Sequence, residues 1–164
     1  MTLSAFTYSS PLGSLHLLAS EDYLLQLTFS APSDQTTVVQ QENSIIRQAK
    51  QELDAYFDGK LISFRTPLQF DDTAFRMRVW QQLREIPFGQ TISYLSLAKQ
   101  LGDAKCIRAA GTANGRNPVA IIVPCHRVIG NTGSLVGYAG ELWRKRWLLE
   151  HEAKFAHGIQ TLFE

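Results

Sequence analysis

The fold of the second half of the chain is decided by residues 93–114, which read SYLSLAKQLGDAKCIRAAGTAN. The Gly102-Asp103 pair divides this run into two short predicted helices, residues 93–101 and 104–114. Two helices joined by such a tight turn form a helix-turn-helix, whose second helix commonly docks on DNA. The small residues of the second helix would permit either close approach to a groove or tight packing inside a core.

Another helix is predicted just ahead of this motif. Phe75, Val79 and Leu83 repeat every four residues, so their side chains share one helical face. Asp72 or Thr73 can cap the first turn of this helix by accepting a bond from a free backbone N–H. The second half of the chain is therefore predicted to be mainly helical.

The first half is typical of an antiparallel sheet followed by a helix. Short apolar or alternating runs predict three strands at residues 5–9, 14–20 and 23–29. Residues 31–43 begin as a polar, loop-like segment, and residues 45–57 carry apolar side chains at helical spacing. Because Pro67 and paired aspartates interrupt the pattern, we expect an N-terminal domain at residues 1–68 and a C-terminal domain at residues 69–164. These elements predict an α+β fold.

Charge is distributed unevenly between the two predicted domains. Residues 1–68 hold four Lys or Arg and seven Asp or Glu, a net charge of −3, whereas residues 69–164 hold twelve and eight, a net charge of +4. Only the second domain is suited to phosphate, and its modest excess predicts salt-sensitive binding of nucleic acid through a local patch. From charge alone, an ordinary solvated surface with a mild charge bias is the better interpretation.

Cellular location can also be inferred from the sequence. No apolar stretch approaches the length of a membrane span, and the first twenty residues lack the pattern of a secretion signal. Two cysteines are too few for a disulfide scaffold. We expect a protein without membrane association, in the cytoplasm or, in a eukaryote, the nucleus.

A thiol and an imidazole adjoin in residues 121–130, IIVPCHRVIG, within an apolar, strand-like run. A cysteine attacks as its thiolate, which a nearby cation or base favours, and His126 and Arg127 follow directly. In an extended segment neighbouring side chains point to opposite faces, so proton transfer from Cys125 to His126 needs a bridging water or a sharp turn. A buried structural cysteine beside a surface histidine explains the same dipeptide.

A base beside a thiol must also be held by a third group. The helical stretch that follows offers Glu141, Glu150 and Glu152, and spacing alone does not choose among them. The second cysteine, Cys106, lies in a predicted helix and is interpreted as structural. His16 lies in a strand-like alternation, which favours a packing or surface role.

Several further motifs appear in order along the chain. They are IPFGQTISY at 86–94, Ala98, RAAG at 108–111, NP at 117–118, IIVPCHRV at 121–128, VGYAG at 136–140 and WLLEHE at 147–152. In these motifs and their spacing the chain resembles the O6-alkylguanine-DNA alkyltransferases, DNA repair proteins that move an alkyl group from guanine onto their own cysteine. The resemblance implies a ribonuclease H-like N-terminal sheet with a helix, followed by a helical domain with a helix-turn-helix.

The resemblance also implies roles for the residues of the site. Cys125 would be the alkyl acceptor, His126 the base acting through a water, and Glu152 the group that orients the imidazole. Tyr94 would donate to guanine N3 as negative charge develops there. Asn117 would hold the turn between the recognition helix and the active-site strand.

Substrate contacts are implied in the same way. The backbone amide of Ala139 would bond guanine O6, and the carbonyls of Cys125 and Val128 would accept the exocyclic amine. Tyr138 would form a wall of the pocket, with Gly140 in the same segment. Some relatives carry Ser in place of Ala139, and a backbone donor tolerates that difference.

For the DNA contact, the resemblance implies that Arg108 is a finger residue, whose side chain occupies the gap left in the base stack after the damaged base has been rotated out. Ala109, Gly111 and Ser93 would complete a contact with the minor groove. The implied partner is double-stranded DNA containing O6-alkylguanine, bound by a monomer. No metal or organic cofactor is expected, and residues 1–68 contain no Cys and only His16 as a zinc ligand.

The implied reaction is a displacement at saturated carbon in which sulfur attacks and O6 of guanine leaves. Because the product is a thioether, each molecule would act once. O4-alkylthymine is a second candidate substrate.

Two rival functions explain less of the sequence. A helix-turn-helix regulator would leave the Pro-Cys-His-Arg motif unexplained, and a cysteine hydrolase would need a distant Cys and His with an oxyanion hole.

Overall fold

A computed structural model describes residues 2–31, 38–60 and 63–157 of the chain. The chain divides into two compact units, with the division between Phe70 and Asp71. A sheet and a helix make up the first unit, and helices dominate the second. The predicted α+β class, with a sheet followed by a helical region, is confirmed.

The first unit contains a four-stranded sheet with the order β3-β2-β1-β4. Strands β1 (Leu3–Ser10), β2 (Gly13–Ala19) and β3 (Leu24–Thr28) form the predicted antiparallel meander. Strand β4 (Val38–Gln40) pairs parallel with β1 and was not predicted. A strand of only three residues is too short to show an alternating pattern, and its hydrogen-bonding partner β1 is distant in sequence. Local pattern therefore does not reveal such a strand. Residues 32–37 of the predicted loop lie outside the described residues.

Helix α1 (Ser44–Phe57) contacts the sheet with one apolar face. The side chain of Asn43 caps this helix by accepting a bond from the Ile46 N–H at 2.9 Å. Ile46, Ala49 and Leu53 are fully buried, as their helical spacing predicts. The prediction of this helix is confirmed to within one residue.

The second unit contains the predicted helix-turn-helix. Helix α2 (Ala74–Leu83) comes first, and Thr73 caps it by accepting from the N–H of Arg76 at 3.2 Å. Helices α3 (Tyr94–Gln100) and α4 (Ile107–Gly115) form the motif. The first turn of the predicted second helix is a 3₁₀ turn, Ala104–Cys106, capped by the side chain of Asp103.

Helix α5 (Leu142–His157) follows the Cys-His segment. Its buried residues include Lys145, Leu148, Leu149 and Glu152, which recur at intervals of three and four and share one face. A charged residue at each end of an apolar face is unusual, because charges are buried only when paired. In the described ranges, no helix has the length and apolar character needed to cross a membrane.

A two-stranded parallel sheet joins distant parts of the second unit. Strand β5 (Ile92–Ser93) pairs with strand β6 (Val128–Ile129), with Ile92 opposite Val128. Since Tyr94 directly follows β5 and Cys125 lies three residues before β6, this pairing brings the start of α3 beside the Cys-His segment.

The interpretation of residues 121–123 as part of a strand is wrong. Ile121 has a φ of 71°, in the left-handed region, and the N–H of Val123 bonds to the carbonyl of Val119 at 3.1 Å. The side-chain amide of Asn117 donates to the carbonyls of Val119 and Val123 and accepts from the N–H of Val119. An amide that satisfies three backbone groups replaces a strand partner, so this buried run can form consecutive turns.

Candidate active site

Cys125, His126 and Arg127 form one 3₁₀ turn directly before β6. The run has about three residues per turn, so successive side chains diverge by roughly 120° and do not point to opposite faces. The turn therefore removes the geometric obstacle that an extended Cys-His pair would present. All three residues are buried, and Cys125 is 6% exposed.

Two asparagines hold the backbone around Cys125. Asn117 fixes the turns that lead to it, and the Asn114 side chain, at the end of α4, donates to the Cys125 carbonyl at 3.3 Å. Asn114 is 2% exposed. Sequence reasoning included Asn117 through the family resemblance and missed Asn114.

Opposing influences act on the Cys125 thiol. Burial raises the pKa of this thiol, because a buried thiolate loses its hydration. A hydrogen bond from the Asn117 side chain, the positive charge of Lys145 and the backbone amides of Cys125 and His126 all lower the pKa of the thiol. Burial is the largest of these influences, so removal of the proton requires a nearby acceptor.

Glu152 on α5 is the centre of the polar cluster at the site. Its Oε2 lies 2.7 Å from His126 Nε2, and both of its oxygens accept from Arg127, Oε1 from Nε at 2.8 Å and Oε2 from Nη2 at 3.0 Å. The N–H of Gly89 adds a 3.3 Å bond to Oε1. Glu152 is 1% exposed, and its interactions with His126 and Arg127 hold the pKa of its carboxyl well below the ordinary value, although burial opposes this.

The environment of His126 fixes which of its nitrogens is free to accept a proton. Nε2 faces the carboxylate of Glu152 and so carries the hydrogen in the neutral ring. Nδ1 is buried and has no hydrogen-bonding partner within residues 2–31, 38–60 and 63–157. Burial lowers the pKa of His126, Glu152 opposes this, and Arg127 and Lys145 reinforce it. At neutral pH the ring is therefore a neutral imidazole with a free acceptor at Nδ1.

The sequence position of Arg127 suggested that it is the cation beside the thiol, but its side chain lies elsewhere. Its guanidinium turns away from Cys125 to bind Glu152 and donates from Nη1 to the carbonyl of Ile86 at 2.7 Å. The reason is the 3₁₀ turn, which separates the first and third side chains in direction. Lys145 is the cation whose charge acts on the thiol.

Lys145 is a buried lysine that sequence reasoning missed. Its ammonium donates to the carbonyl of Val128 at 2.6 Å and to that of Val136 at 2.7 Å, and the side chain is fully buried. Burial lowers its pKa to about 8, and Cys125 opposes this. The two bonds tie the ends of the segment between Val128 and Val136 to α5. A lysine on the same helical face as Leu148 and Leu149 was the available sequence signal.

Tyr94 and Tyr138 flank the same region. The Tyr94 hydroxyl lies 3.4 Å from the carbonyls of Val136 and Gly137, and its ring lies 5.8 Å from the Lys145 ammonium. Burial raises the pKa of both tyrosines, and charge on Cys125 adds to the rise. Both hydroxyls therefore remain protonated at neutral pH and able to donate.

The remaining predicted pocket residues lie in two places, Val128 in β6 and Ala139 and Gly140 near the end of the segment between β6 and α5. Val128 is fully buried, and its carbonyl already accepts from Lys145. Ala139 is exposed and Gly140 is buried, directly before α5. The carbonyl of Gly140 accepts from Arg144 at 3.0 Å, which fixes the end of this segment.

The helix-turn-helix separates its small residues by exposure. Arg108 and Ala109 are exposed on α4, whereas Ala110 and Ala113 are buried, so both interpretations of the small residues apply, each to a different face. Gly111 is half-buried, and a Cβ placed on it would lie 3.7 Å from the Tyr94 ring. Ser93 is half-buried and caps α3 by accepting from the N–H of Ser96. Arg108 and Ala109 are thus the exposed members of the predicted DNA-binding set.

The helix after the site selects among the three candidate glutamates. Glu141 is exposed and accepts from the Trp143 indole at 2.8 Å, and Glu150 is half-buried two positions from Glu152. Helical spacing turns Glu150 away from the face that carries Glu152.

Across the described part of the chain, no cluster of three or more His, Cys, Asp or Glu could hold a metal ion.

Family models match both units of the chain. The model of the "6-O-methylguanine DNA methyltransferase, ribonuclease-like domain" matches residues 5–70. The model of the "6-O-methylguanine DNA methyltransferase, DNA binding domain" matches residues 74–154. The predicted ribonuclease-like character of the N-terminal sheet is thereby confirmed.

Individual relatives agree with these models. A methylated-DNA–protein-cysteine methyltransferase of Mycobacterium leprae is 50% identical over 123 residues, which covers 75% of this chain and 74% of the relative. Another, of Methanosarcina acetivorans, is 43% identical over 148 residues and covers 88% of this chain and 95% of the relative. A crystal structure of Mycobacterium tuberculosis OGT in complex with DNA has a TM-score of 0.87 at 42% identity, covering 93% of this chain and 94% of that one. The chain belongs to the O6-methylguanine-DNA methyltransferase family, whose members are also named methylated-DNA–protein-cysteine methyltransferases.

Proposed function

We propose that the protein repairs double-stranded DNA by moving the alkyl group of O6-alkylguanine onto Cys125, once per molecule. The observation that carries the proposal is the shared turn of Cys125 and His126, in which Glu152 fixes Nε2 of the ring and leaves Nδ1 as proton acceptor. A buried thiol with a raised pKa needs such an acceptor before it can attack.

The proposed reaction conserves its proton and its electron pairs. The thiol proton passes through a water to Nδ1 of His126, and the resulting imidazolium faces the Glu152 carboxylate. The sulfur lone pair forms a bond to the alkyl carbon while the bond between that carbon and O6 breaks. The electron pair of the broken bond stays on the guanine, and Tyr94 donates to N3 as that charge develops. The thioether does not release its carbon, so the thiol is not regenerated.

We propose that the flipped guanine contacts the segment between β6 and α5. The carbonyls of Cys125 and Val128 would accept its exocyclic amine, and the N–H of Ala139 would donate to O6. The buried hydroxyl of Tyr138 and the buried Gly140 support a wall on that side. Asn117 holds the turn that presents the thiol.

Helix α4 would contact the minor groove of the duplex. Extrusion of the base costs a few kcal/mol, and the exposed Arg108 would occupy the gap in the stack. The exposed Ala109 lies beside it and would allow close approach, with Gly111 and Ser93 behind. The protein would bind as a monomer, and the similar M. tuberculosis OGT has been crystallised in complex with DNA.

The test is incubation of the full chain with duplex DNA carrying O6-methylguanine labelled on its methyl carbon. We expect one equivalent of label on Cys125 by peptide mass spectrometry and none on the Cys125→Ser variant. Cys106→Ser is the matched control and should retain full transfer. Multiple turnovers, or release of methanol, would overturn the proposal.

A second arm tests the role of α4. Arg108→Ala should slow transfer from duplex DNA by about tenfold or more, because only the duplex requires extrusion of a base. The reaction with free O6-benzylguanine should be unchanged. Equal losses on both substrates would reject the finger role. A duplex with O4-alkylthymine in the same assay decides whether that lesion is also a substrate.

A further inference from the structure

We propose that Arg127 is a positioning residue, which aims the Glu152 carboxylate at His126 and offsets its charge, so that the imidazole stays neutral until Cys125 loses its proton. The inference rests on the proposed role of His126 as the base. The side chain of Arg127 makes its hydrogen bonds to Glu152 and to the Ile86 carbonyl, so its effect on His126 passes through Glu152.

The geometry of the pair supports the aiming role. A guanidinium is planar, and two parallel bonds to a carboxylate fix the plane of that carboxylate. Arg127 makes both bonds, at 2.8 and 3.0 Å, and its third contact, to the Ile86 carbonyl at 2.7 Å, anchors the guanidinium itself. Arg127 is 6% exposed, so water does not loosen this arrangement. Arg127 therefore holds Glu152 Oε2 toward His126 by two direct bonds and one that anchors the guanidinium, and the Gly89 N–H adds a longer bond to Oε1.

Charge supports the second role. Among the described residues, Glu152 and Lys145 of α5 and Arg127 of its own turn act on the charge of His126, and Cys125 adjoins it in that turn. Tyr138, of the segment after β6, interacts with Cys125 and Glu152. Glu152 is the anion in this set at neutral pH, and by itself it raises the pKa of the buried ring. Arg127 lies against that anion and lowers the pKa of the ring.

The consequence for the reaction follows from what a base must do. A ring held permanently as imidazolium could not accept the thiol proton, whereas a ring with no carboxylate beside it would accept the proton poorly. Glu152 stabilises the imidazolium that forms, and Arg127 prevents it from forming early. The opposing effects of Glu152 and Arg127 on the pKa of His126 therefore set the pH range in which the ring can accept the thiol proton.

The test compares Arg127→Met and Arg127→Lys with the unaltered full chain. The second-order rate constant for benzylation of Cys125 by O6-benzylguanine is measured from pH 5 to 9. In the unaltered protein the rate should fall only below pH 6.5, the ordinary pKa of histidine, because the pKa of His126 is lowered. In Arg127→Met this fall should begin at least about one pH unit higher, which makes the variant about tenfold slower at pH values well below the midpoints of both acid limbs, while the rates approach each other at pH 8.5.

Arg127→Lys keeps the positive charge but cannot make two parallel bonds to the carboxylate. The variant therefore separates the charge role from the aiming role. Its rate should be lower at every pH, with the midpoint of the acid limb close to that of the unaltered protein. An Arg127→Met profile that is merely scaled down in parallel would overturn the charge role. An Arg127→Lys rate equal to that of the unaltered protein would overturn the aiming role.

A measurement on the unaltered protein keeps the proposal testable if Arg127→Met does not fold. In a sample with ¹⁵N-labelled histidine, assigned with His126→Gln, the His126 ring should be neutral and protonated on Nε2 at pH 7. An imidazolium at pH 7 would overturn the proposal. Failure of Cys125 to accept any alkyl group would reject the proposed function instead, because the histidine spectrum does not depend on alkylation.

Discussion

Each unit of the molecule contains a helical glutamate that accepts three or more hydrogen bonds, yet the two glutamates differ in what they bind. Glu52 of α1 accepts from the N–H of Arg65 and from the N–H and hydroxyl of Thr66. Glu152 of α5 accepts from His126 and Arg127. None of the groups donating to Glu52 changes charge near neutral pH, whereas one partner of Glu152 does.

This difference separates a structural carboxylate from one suited to chemistry. Glu52 holds the chain that leaves α1 and is half-buried, so water screens its charge. Glu152 is 1% exposed, where interactions between charges are stronger and less screened. A carboxylate can alter a neighbour's proton affinity only when that neighbour titrates and little water intervenes.

Glu152→Gln should have the largest effect of the series, on both stability and rate. The variant leaves Arg127 buried without an anionic partner, which should cost about 3–5 kcal/mol of unfolding free energy. Loss of the charge beside His126 should slow alkylation of Cys125 by about 100-fold. Urea unfolding and the benzylation rate measure the two effects.

The matched control is Glu150→Gln, which removes a half-buried carboxylate from the same helix. It should change the unfolding free energy by less than about 0.5 kcal/mol and leave the rate unaltered. If both variants lost activity equally, the distinction between the buried Glu152 and the half-buried Glu150 would fail.

Lys145→Met tests whether the buried Lys145 ammonium contributes to the rate of alkylation as well as to stability. The variant removes the ammonium that donates to the carbonyls of Val128 and Val136, which should cost about 1–3 kcal/mol and slow alkylation by about tenfold. Because the pKa of Lys145 is about 8, the unaltered protein loses this charge above that pH. The ratio of the two rates should therefore narrow as pH rises beyond 8. Lys154→Met, at an exposed lysine of α5, should leave both quantities unchanged.

Acidification should lower the unfolding free energy through His126, the titrating partner of Glu152. The pKa of His126 is lowered in the folded protein, so the unfolded chain binds the proton first, and His126 makes the unfolding free energy fall as pH drops below 6.5. The pKa of Glu152 is also lowered, but from 4.5, so its contribution is lost only in stronger acid. Unfolding in urea at pH 7 and pH 5 should show a loss of about 1–2 kcal/mol that is smaller in His126→Gln. An identical loss in the variant would contradict this assignment.

Glu52→Gln should have the smallest effect of the series. Gln keeps an acceptor for one of the backbone N–H groups, so the unfolding free energy should fall by about 1 kcal/mol. Its partners do not titrate near neutral pH, and alkylation of Cys125 should proceed at the unaltered rate. A loss of rate in this variant would remove the contrast between the two glutamates.

Much of the fold was predictable because its signals are local. The face of α2 and the break at Gly102-Asp103 lie within one or two helical turns, and caps such as Thr73 act on the adjacent N–H groups. Strand β4 escaped prediction because its bonds go to β1, far along the chain. The turns before Cys125 escaped because an apolar run bounded by turn signals fits a buried strand, and only the bonds of Asn117 distinguish the two.

The chemically active groups were predictable to a lesser degree. Composition and order identified the thiol and imidazole, and the family resemblance proposed Glu152 among three glutamates. No sequence signal indicated that Arg127 would face Glu152, because its position next to His126 suggested a role at the thiol. Asn114 was missed because no local signal distinguishes a buried amide at the end of a helix, and Lys145 was missed although its place on the apolar face of α5 was a signal.

Local pattern was sufficient to predict most helices and strands, and the ordered motifs were sufficient to predict the family and the adjacent cysteine and histidine. Which cation acts on the thiol and which carboxylate holds the ring depended on the folded arrangement. The reason is physical: hydrogen bonds depend on direction, and charge interactions depend on distance and burial. Residues adjacent in sequence, such as Cys125 and Arg127, can face different partners, whereas Lys145 and Glu152 reach the same turn from a separate helix.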